Sequence, residues 1–259
     1  LLRFSHNIIE HLGLKLYQNR PTRVIAELVS NSWDADAKRV DVNVSPDDDS
    51  PWVAVHDNGS GMSRKDLTSA YLIIGKDRRT KADERTSKGR HLMGRKGIGK
   101  LAPFGIARVI DVVTSGIAAG ESQPKTHWLR FHLSDLLGKG DAEVAYQPEV
   151  LAENVDALDV VTAKDTTGEV AKWQQAMGVN GTGTLVIMTE MSLARSISAA
   201  SLTQSLGERF TVTGRRDFEV AVNGEVATNA NALPEFEFRI PDKGYIVEVV
   251  DGHEIRSWA

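Results

Sequence analysis

The sequence predicts an α/β sandwich with mixed connections. Its elements run helix, helix, strand, strand, helix, loop, helix, strand, strand, an order too irregular for a doubly wound parallel sheet. Apolar residues recur at helical spacing in the helices and alternate or run continuously in the strands. With 259 residues, 41% of them hydrophobic, the chain can bury one large core or one core plus a smaller second domain.

Ile8, Ile9, Leu12, Leu16 and Tyr17 mark a first helix, and Pro21 opens a second that runs to about Ala37. Val40, Val42 and Val44 alternate with polar residues as a strand. A turn-rich acidic stretch separates them from Trp52-Val53-Ala54-Val55-His56, a second strand that runs into Asp57-Asn58-Gly59. A short helix is expected over Asp66–Ile74. The segment from Gly75 to about Met93 lacks periodicity and is expected to be a long mobile loop, a length that usually serves function.

Gly97–Phe104 reads as a helix start, Arg108–Thr114 as a buried strand and Trp128–Leu133 as another. Gly138–Asn180 gives little beyond strand pieces and turns. Leu185–Met188 resumes the sheet, and Leu193–Phe210 is helical. Phe218–Val226 is a hairpin around Asn223-Gly224, and Tyr245–Trp258 a second around Asp251-Gly252. The expected division is a first domain over 1–210 and the opening of a β-rich second domain over 211–259.

Net charge of −4 and a pI near 6.0 give no global reason to expect nucleic acid or an acidic membrane as partner. Gly75–Lys100 departs from that balance, with ten Lys/Arg against three acids (10 − 3 = +7), so this segment is expected to meet an anion. Cysteine is absent, which excludes disulfides and thiolate metal sites. No run reaches membrane-spanning length and no signal peptide is evident, so the expectation is a cytoplasmic protein without a membrane partner. Beginning at Leu1 and stopping just after a strand-like run, the sequence reads as a piece of something longer.

Four constellations carry chemistry. In Glu27-Leu28-Val29-Ser30-Asn31-Ser32-Trp33-Asp34-Ala35, the residues Glu27, Asn31 and Asp34 share one helix face, bordered by the apolar Val24, Ile25, Leu28 and Val29. A carboxylate there can polarise a water, and a carboxamide oxygen is a hard neutral ligand, the pair a magnesium nucleotide site needs. A solvated helix face is the plainer alternative. Asp57-Asn58-Gly59-Ser60-Gly61-Met62 ends an apolar strand; its carboxylate can accept from an exocyclic amine while the glycines admit a flat ring, or the stretch is a simple tight turn.

Gly94-Arg95-Lys96-Gly97-Ile98-Gly99-Lys100 offers backbone N–H groups and lysines to a polyphosphate. It is not a P-loop, since Leu101 stands where Ser or Thr must bind Mg²⁺ and no buried strand precedes it. Nor is it a dinucleotide fingerprint, because Thr86–His91 is polar where a strand is required. Gly181-Thr182-Gly183-Thr184 leads into a central strand, where a threonine can support a carboxylate or a bridging water.

Taken in this order, the constellations resemble the GHKL superfamily of ATPases, which includes gyrase B, the heat-shock protein 90 class, histidine kinases and MutL. The resemblance covers roughly residues 5–210. It implies the Bergerat ATP-binding fold, a mainly antiparallel mixed sheet with helices on one face, with ATP and Mg²⁺ as ligands. Glu27 corresponds to the catalytic general base and Asn31 to the Mg²⁺ ligand. Asp57 corresponds to the adenine reader, Gly61 lies under the base, and Thr184 supports Asp57 through a water. The lid, about residues 75–100, would hold the phosphates through Gly94, Lys96, Gly97, Ile98, Gly99 and Lys100. Asp34, Gly59 and Met62 complete the implied nucleotide contacts.

The motifs are most similar to prokaryotic chaperone-like ATPases related to MORC and MutL, many of them found in restriction or phage-defence contexts. Arg95 departs from close relatives, which often carry an acid there. The resemblance implies slow Mg-dependent ATP hydrolysis, lid closure and an ATP-dependent homodimer of a larger protein. Contact with DNA is the alternative use of the basic segment.

Two rival readings stand beside this one. A histidine kinase would use Ser5-His6-Asn7, but only 25 residues separate His6 from Asn31 (31 − 6), too few for a phosphoacceptor hairpin. A non-hydrolysing, ATP-gated dimerisation module would need Asn31 and Asp57 but no base, so Glu27 favours hydrolysis.

Overall fold

The computed structural model describes residues 15–46, 49–72, 85–94, 99–137, 147–178, 181–193, 195–210, 217–228, 245–250 and 253–258. Most of the expected first helix lies outside them, leaving its last turn, α1 (Lys15–Tyr17). The second helix, α2 (Pro21–Asp34), starts on proline, whose fixed φ and missing N–H suit the first position. It ends short of Ala37 because Asp36 adopts left-handed backbone, φ 59°.

β1 (Arg39–Val44) and β2 (Val53–Asp57) follow as expected. Ser63 and Asp66 form a reciprocal capping box, so the next helix, α3 (Arg64–Asp66), begins earlier than Asp66 and runs into a π-helical turn, Leu67–Tyr71. Gly99–Gly105 is a 3₁₀ turn around Pro103, a residue with no N–H to donate to an α-helix. β3 (Ala107–Gly116), β4 (Lys125–His132), α4 (Leu133–Leu136) and β5 (Glu149–Val155) come next.

The stretch read as strand pieces and turns also holds a helix, α5 (Glu169–Met177). Its start is fixed by Asp165, whose carboxylate accepts from the N–H groups of Gly168 and Val170. β6 (Gly183–Met191) is followed by α6 (Ala199–Arg209), which starts at its Ser198 cap rather than at Leu193. β7 (Glu219–Val222) and β8 (Glu225–Val226) form the expected hairpin, with Asn223 and Gly224 both at positive φ. β9 (Tyr245–Val250) and β10 (His253–Trp258) form a separate antiparallel pair.

The main sheet has eight strands in the order β5-β4-β3-β6-β2-β1-β7-β8, antiparallel throughout except where β7 runs parallel to β1. Residues 219–226 thus extend the first sheet beyond position 210. Side chains alternate between two cores. Val186 and Met188 of β6 join Val24 and Val29 of α2 and Leu206 of α6 on one face. Leu185 and Ile187 join Trp128 and the α5 residues Val170 and Trp173 on the other. The expected single helical face therefore holds α2 and α6, and α5 covers part of the second. Among the described residues, no helix is long and apolar enough to cross a membrane.

Candidate nucleotide site

A cavity of about 730 Å³ opens between α2, the ends of β2 and β6, and the segments flanking Gly94 and Gly99. Glu27, Asn31, Asp34, Asp57, Gly61, Met62, Gly94, Gly99, Lys100 and Thr184 all line it. Residues distant in the sequence thus meet at one concavity. Lys96, Gly97 and Ile98 lie outside the described residues.

Asp57 is buried at the close of β2. It accepts from the Ser32 hydroxyl at 2.9 Å and the Gly59 N–H at 2.8 Å. Burial pushes its carboxyl upward, and the hydrogen bonds from Gly59, Ser32 and Thr184 offset only part of that effect. Gly59 therefore acts by holding Asp57. Thr184, opposite Asp57 in the register, shares a hydrogen bond with Thr114, whose hydroxyl also accepts from the Met62 N–H at 2.9 Å. Gly61 has φ +61°, and a Cβ there would lie 1.8 Å from the Ser115 carbonyl oxygen, so only glycine lets this backbone pass.

Glu27 and Asn31 line the same cavity. A Cβ on Gly99 would sit 2.8 Å from Glu27 Oε2; one on Gly94 would sit 2.8 Å from Asp34 Oδ2 and 3.9 Å from Asn31 Oδ1. The glycines of the loop thus give its backbone access to the polar helix face. The Tyr17 hydroxyl also faces Glu27; burial, then the charge and hydrogen bonding of Glu27, push it up to about 12.

Asp34, at the cavity wall, also has structural partners. Its two oxygens accept from the Met93 N–H at 2.7 Å and the Gly94 N–H at 2.9 Å, so it holds the loop stem. Lys100 donates to the Tyr71 carbonyl at 2.8 Å.

The described part of the basic segment, 85–94, is anchored by hydrogen bonds. Ser87 and the Lys88 N–H donate to the Asp36 carboxylate, and the Trp33 indole donates to the His91 carbonyl. For Asp36, burial opposes ionisation, but hydrogen bonds from Ser87, Thr86 and Lys88 outweigh it and hold the carboxyl below its ordinary range. Arg90 is buried, 4.5 Å from the Trp33 ring and 5.6 Å from that of Phe218, and donates to the carbonyls of Ala37 and Asp217. Of the cations expected to face an anion, Arg90 is therefore internal, while Arg85 and Lys88 are exposed.

The donor set fits Mg²⁺ bound in company with a polyphosphate. Among the described residues, no cluster of three or more metal-binding side chains occurs, and Mg²⁺ commonly takes one or two protein oxygens with phosphate and water completing its shell. Asn31 offers one such oxygen at the cavity wall.

Sequence reasoning missed Ser32, Thr114 and Tyr17. A lone threonine in the apolar run Val112-Val113-Thr114 was the available signal for one of them.

The model for histidine kinase-, DNA gyrase B- and HSP90-like ATPases matches residues 19–164. A putative type II restriction enzyme, HgiDII of Herpetosiphon aurantiacus, is 32% identical over 225 residues, covering 86% of this chain and 31% of that protein. DNA mismatch repair protein MutL of Shewanella sediminis is 52% identical over 48 residues, 18% of this chain and 8% of MutL. Chaperone protein HtpG of Mesorhizobium japonicum is 31% identical over 143 residues, 48% of this chain and 21% of HtpG. The matches thus span less than a third of each relative. Because that family's model matches more than half of this chain, the chain belongs to the histidine kinase-, DNA gyrase B- and HSP90-like ATPases.

Proposed function

We propose that this chain binds ATP with Mg²⁺ and hydrolyses it slowly, and that nucleotide occupancy drives lid closure and dimerisation of a larger protein. The observation that carries the reading is the approach of Gly99 to Glu27 and of Gly94 to Asn31 in the cavity that Asp57 also lines. A nucleotide laid along it would present its base to Asp57 and its phosphates to the glycine loop.

In this reading the Asp57 carboxylate accepts from the exocyclic amine of adenine, with Gly61 admitting the ring. Ser32, Gly59 and the Thr114–Thr184 pair hold that end rigid. Glu27 takes a proton from the water that attacks the γ-phosphate. Asn31 would hold Mg²⁺, which would supply neutralisation of the charge that develops on the phosphates. The backbone at Gly99 and Lys100 adds N–H donors, and closure of the lid excludes water.

Calorimetry with ATP and Mg²⁺ on wild type, Asp57→Asn and Asn31→Ala tests binding; both variants are expected to lose it. Glu27→Ala is expected to keep binding and lose turnover by roughly 10²- to 10⁴-fold. Full turnover in Glu27→Ala would refute the base assignment. Restriction, mismatch repair and chaperone action are features of the relatives' names, and the client of this ATP cycle is set by the longer protein.

A further inference from the structure

Four of the described arginines are matched to carboxylates. Arg39 pairs with Asp41 and Glu219, Arg64 with Glu153, Arg90 with Asp217 and Arg130 with Asp111. Arg23 and Arg209 have no ion pair or side-chain hydrogen bond among the described residues, and both line the large cavity. Arg20, Arg108 and Arg195 are also unmatched but do not line it. The two unmatched arginines at the cavity are therefore set apart by position.

Arg23 stands four residues before Glu27 in α2, so both project from the same helix face. Its charge reaches the Tyr17 hydroxyl, which faces Glu27. Arg209 comes from the last turn of α6, outside the residues 19–164 that the family model matches. The cavity's remaining described cation, Lys100, already donates to the Tyr71 carbonyl and lies 5.9 Å from the Tyr71 ring. Its acids are largely engaged as well, Asp34 by the loop backbone, Asp57 by Ser32 and Gly59, and Asp66 by the Ser63 cap. A triphosphate entering this cavity meets two guanidinium groups with no partner among the described residues to give up, each presenting a planar fork that suits two phosphate oxygens.

We propose that Arg23 and Arg209 are polyphosphate-binding residues, gripping the anionic end of the nucleotide from α2 and from the end of α6. This inference rests on the nucleotide reading of the cavity. It adds that α6, the helix leading into β7, takes part in holding the ligand, and that affinity depends on phosphate number.

The test is calorimetry with ATP, ADP and adenosine on wild type, Arg23→Ala, Arg209→Ala and Arg209→Lys, with Arg108→Ala as a control for the loss of an unmatched surface arginine. Each alanine variant is expected to bind ATP about ten- to a hundredfold more weakly, the loss of one charge-assisted contact, while adenosine affinity is unchanged. Arg209→Lys is expected to recover part of the loss, and Arg108→Ala to match wild type. Unchanged ATP affinity in the alanine variants would overturn the proposal, as would an equal loss for adenosine, which marks a structural role. Failure of wild type to bind any of the three ligands would instead refute the nucleotide reading underneath it.

Discussion

Asp34 holds Gly94 by its backbone: the carboxylate at the end of α2 accepts the Gly94 N–H at 2.9 Å, with the neighbouring Met93 N–H on its other oxygen at 2.7 Å. A helix and a loop sixty residues further on (94 − 34) are thereby fixed to one another beside Asn31. Replacing Asp34 by alanine strands both N–H groups in partly buried surroundings. We expect a loss of about 1–3 kcal/mol in urea unfolding and weaker ATP binding, with Asp34→Asn intermediate because it keeps one acceptor oxygen. A variant as stable as wild type would show that the loop finds its place without this contact.

The state of Asp57 sets a pH dependence with opposite signs for stability and for ligand. Burial raises its carboxyl above the ordinary range, so just above that range the native state holds more protons than the unfolded one. Folding stability from this group therefore falls as pH rises through the window. Reading an amine requires the ionised carboxylate, so ATP affinity is expected to rise across the same window. Ser32→Ala removes a bond that favours ionisation and is expected to move the affinity curve to higher pH. Calorimetry at several pH values checks this, and superimposable curves for the two proteins would break the link between Ser32 and Asp57.

Gly61 and Gly120 separate two costs of adding a methyl group. Both have positive φ, but a Cβ at Gly61 meets the Ser115 carbonyl oxygen at 1.8 Å, whereas at Gly120 nothing lies within 4 Å. Gly120→Ala is expected to cost about 1–2 kcal/mol from backbone conformation alone. Gly61→Ala carries that cost plus a clash with fixed backbone, so its melting temperature is expected to fall further. Equal losses would mean that β3 yields easily at Ser115.

Much of this arrangement was legible in the sequence. Glu27, Asn31 and Asp34 announced themselves through helical spacing, and Asp57 through its place at the end of an apolar strand. Where a feature depends on contacts between distant segments, spacing is silent. Nothing in Gly75–Met93 distinguishes Arg90, packed between Trp33 and Phe218, from the surrounding surface cations, and helical spacing does not announce that Asp34 accepts from the Met93 and Gly94 N–H groups. α5 escaped notice because its start is set by a carboxylate four residues upstream (169 − 165).

Arg90 should be among the least replaceable residues of the basic segment. Arg90→Ala would leave the Ala37 and Asp217 carbonyls without their donor and remove a cation from two aromatic faces, at an expected cost of about 2–4 kcal/mol. Lysine keeps the charge but cannot reach both carbonyls with one planar group, so Arg90→Lys is expected to recover less than half. Urea unfolding, together with trypsin sensitivity at Arg85 and Lys88, would register the release of this stem. Wild-type resistance in Arg90→Ala would remove its anchoring role.

The parallel pairing of β7 with β1 also bears on how the protein comes off the ribosome. Arg39 and Glu219, opposite one another in that register, are 180 positions apart (219 − 39). At ordinary elongation rates roughly 10 to 35 s pass between their syntheses. Throughout that interval one edge of β1 has no strand of its own chain to pair with, and another nascent chain can add to it. The vulnerable period of this protein is therefore the time spent waiting for a short hairpin made near the end of the sequence, with Asn223-Gly224 as the turn that closes it.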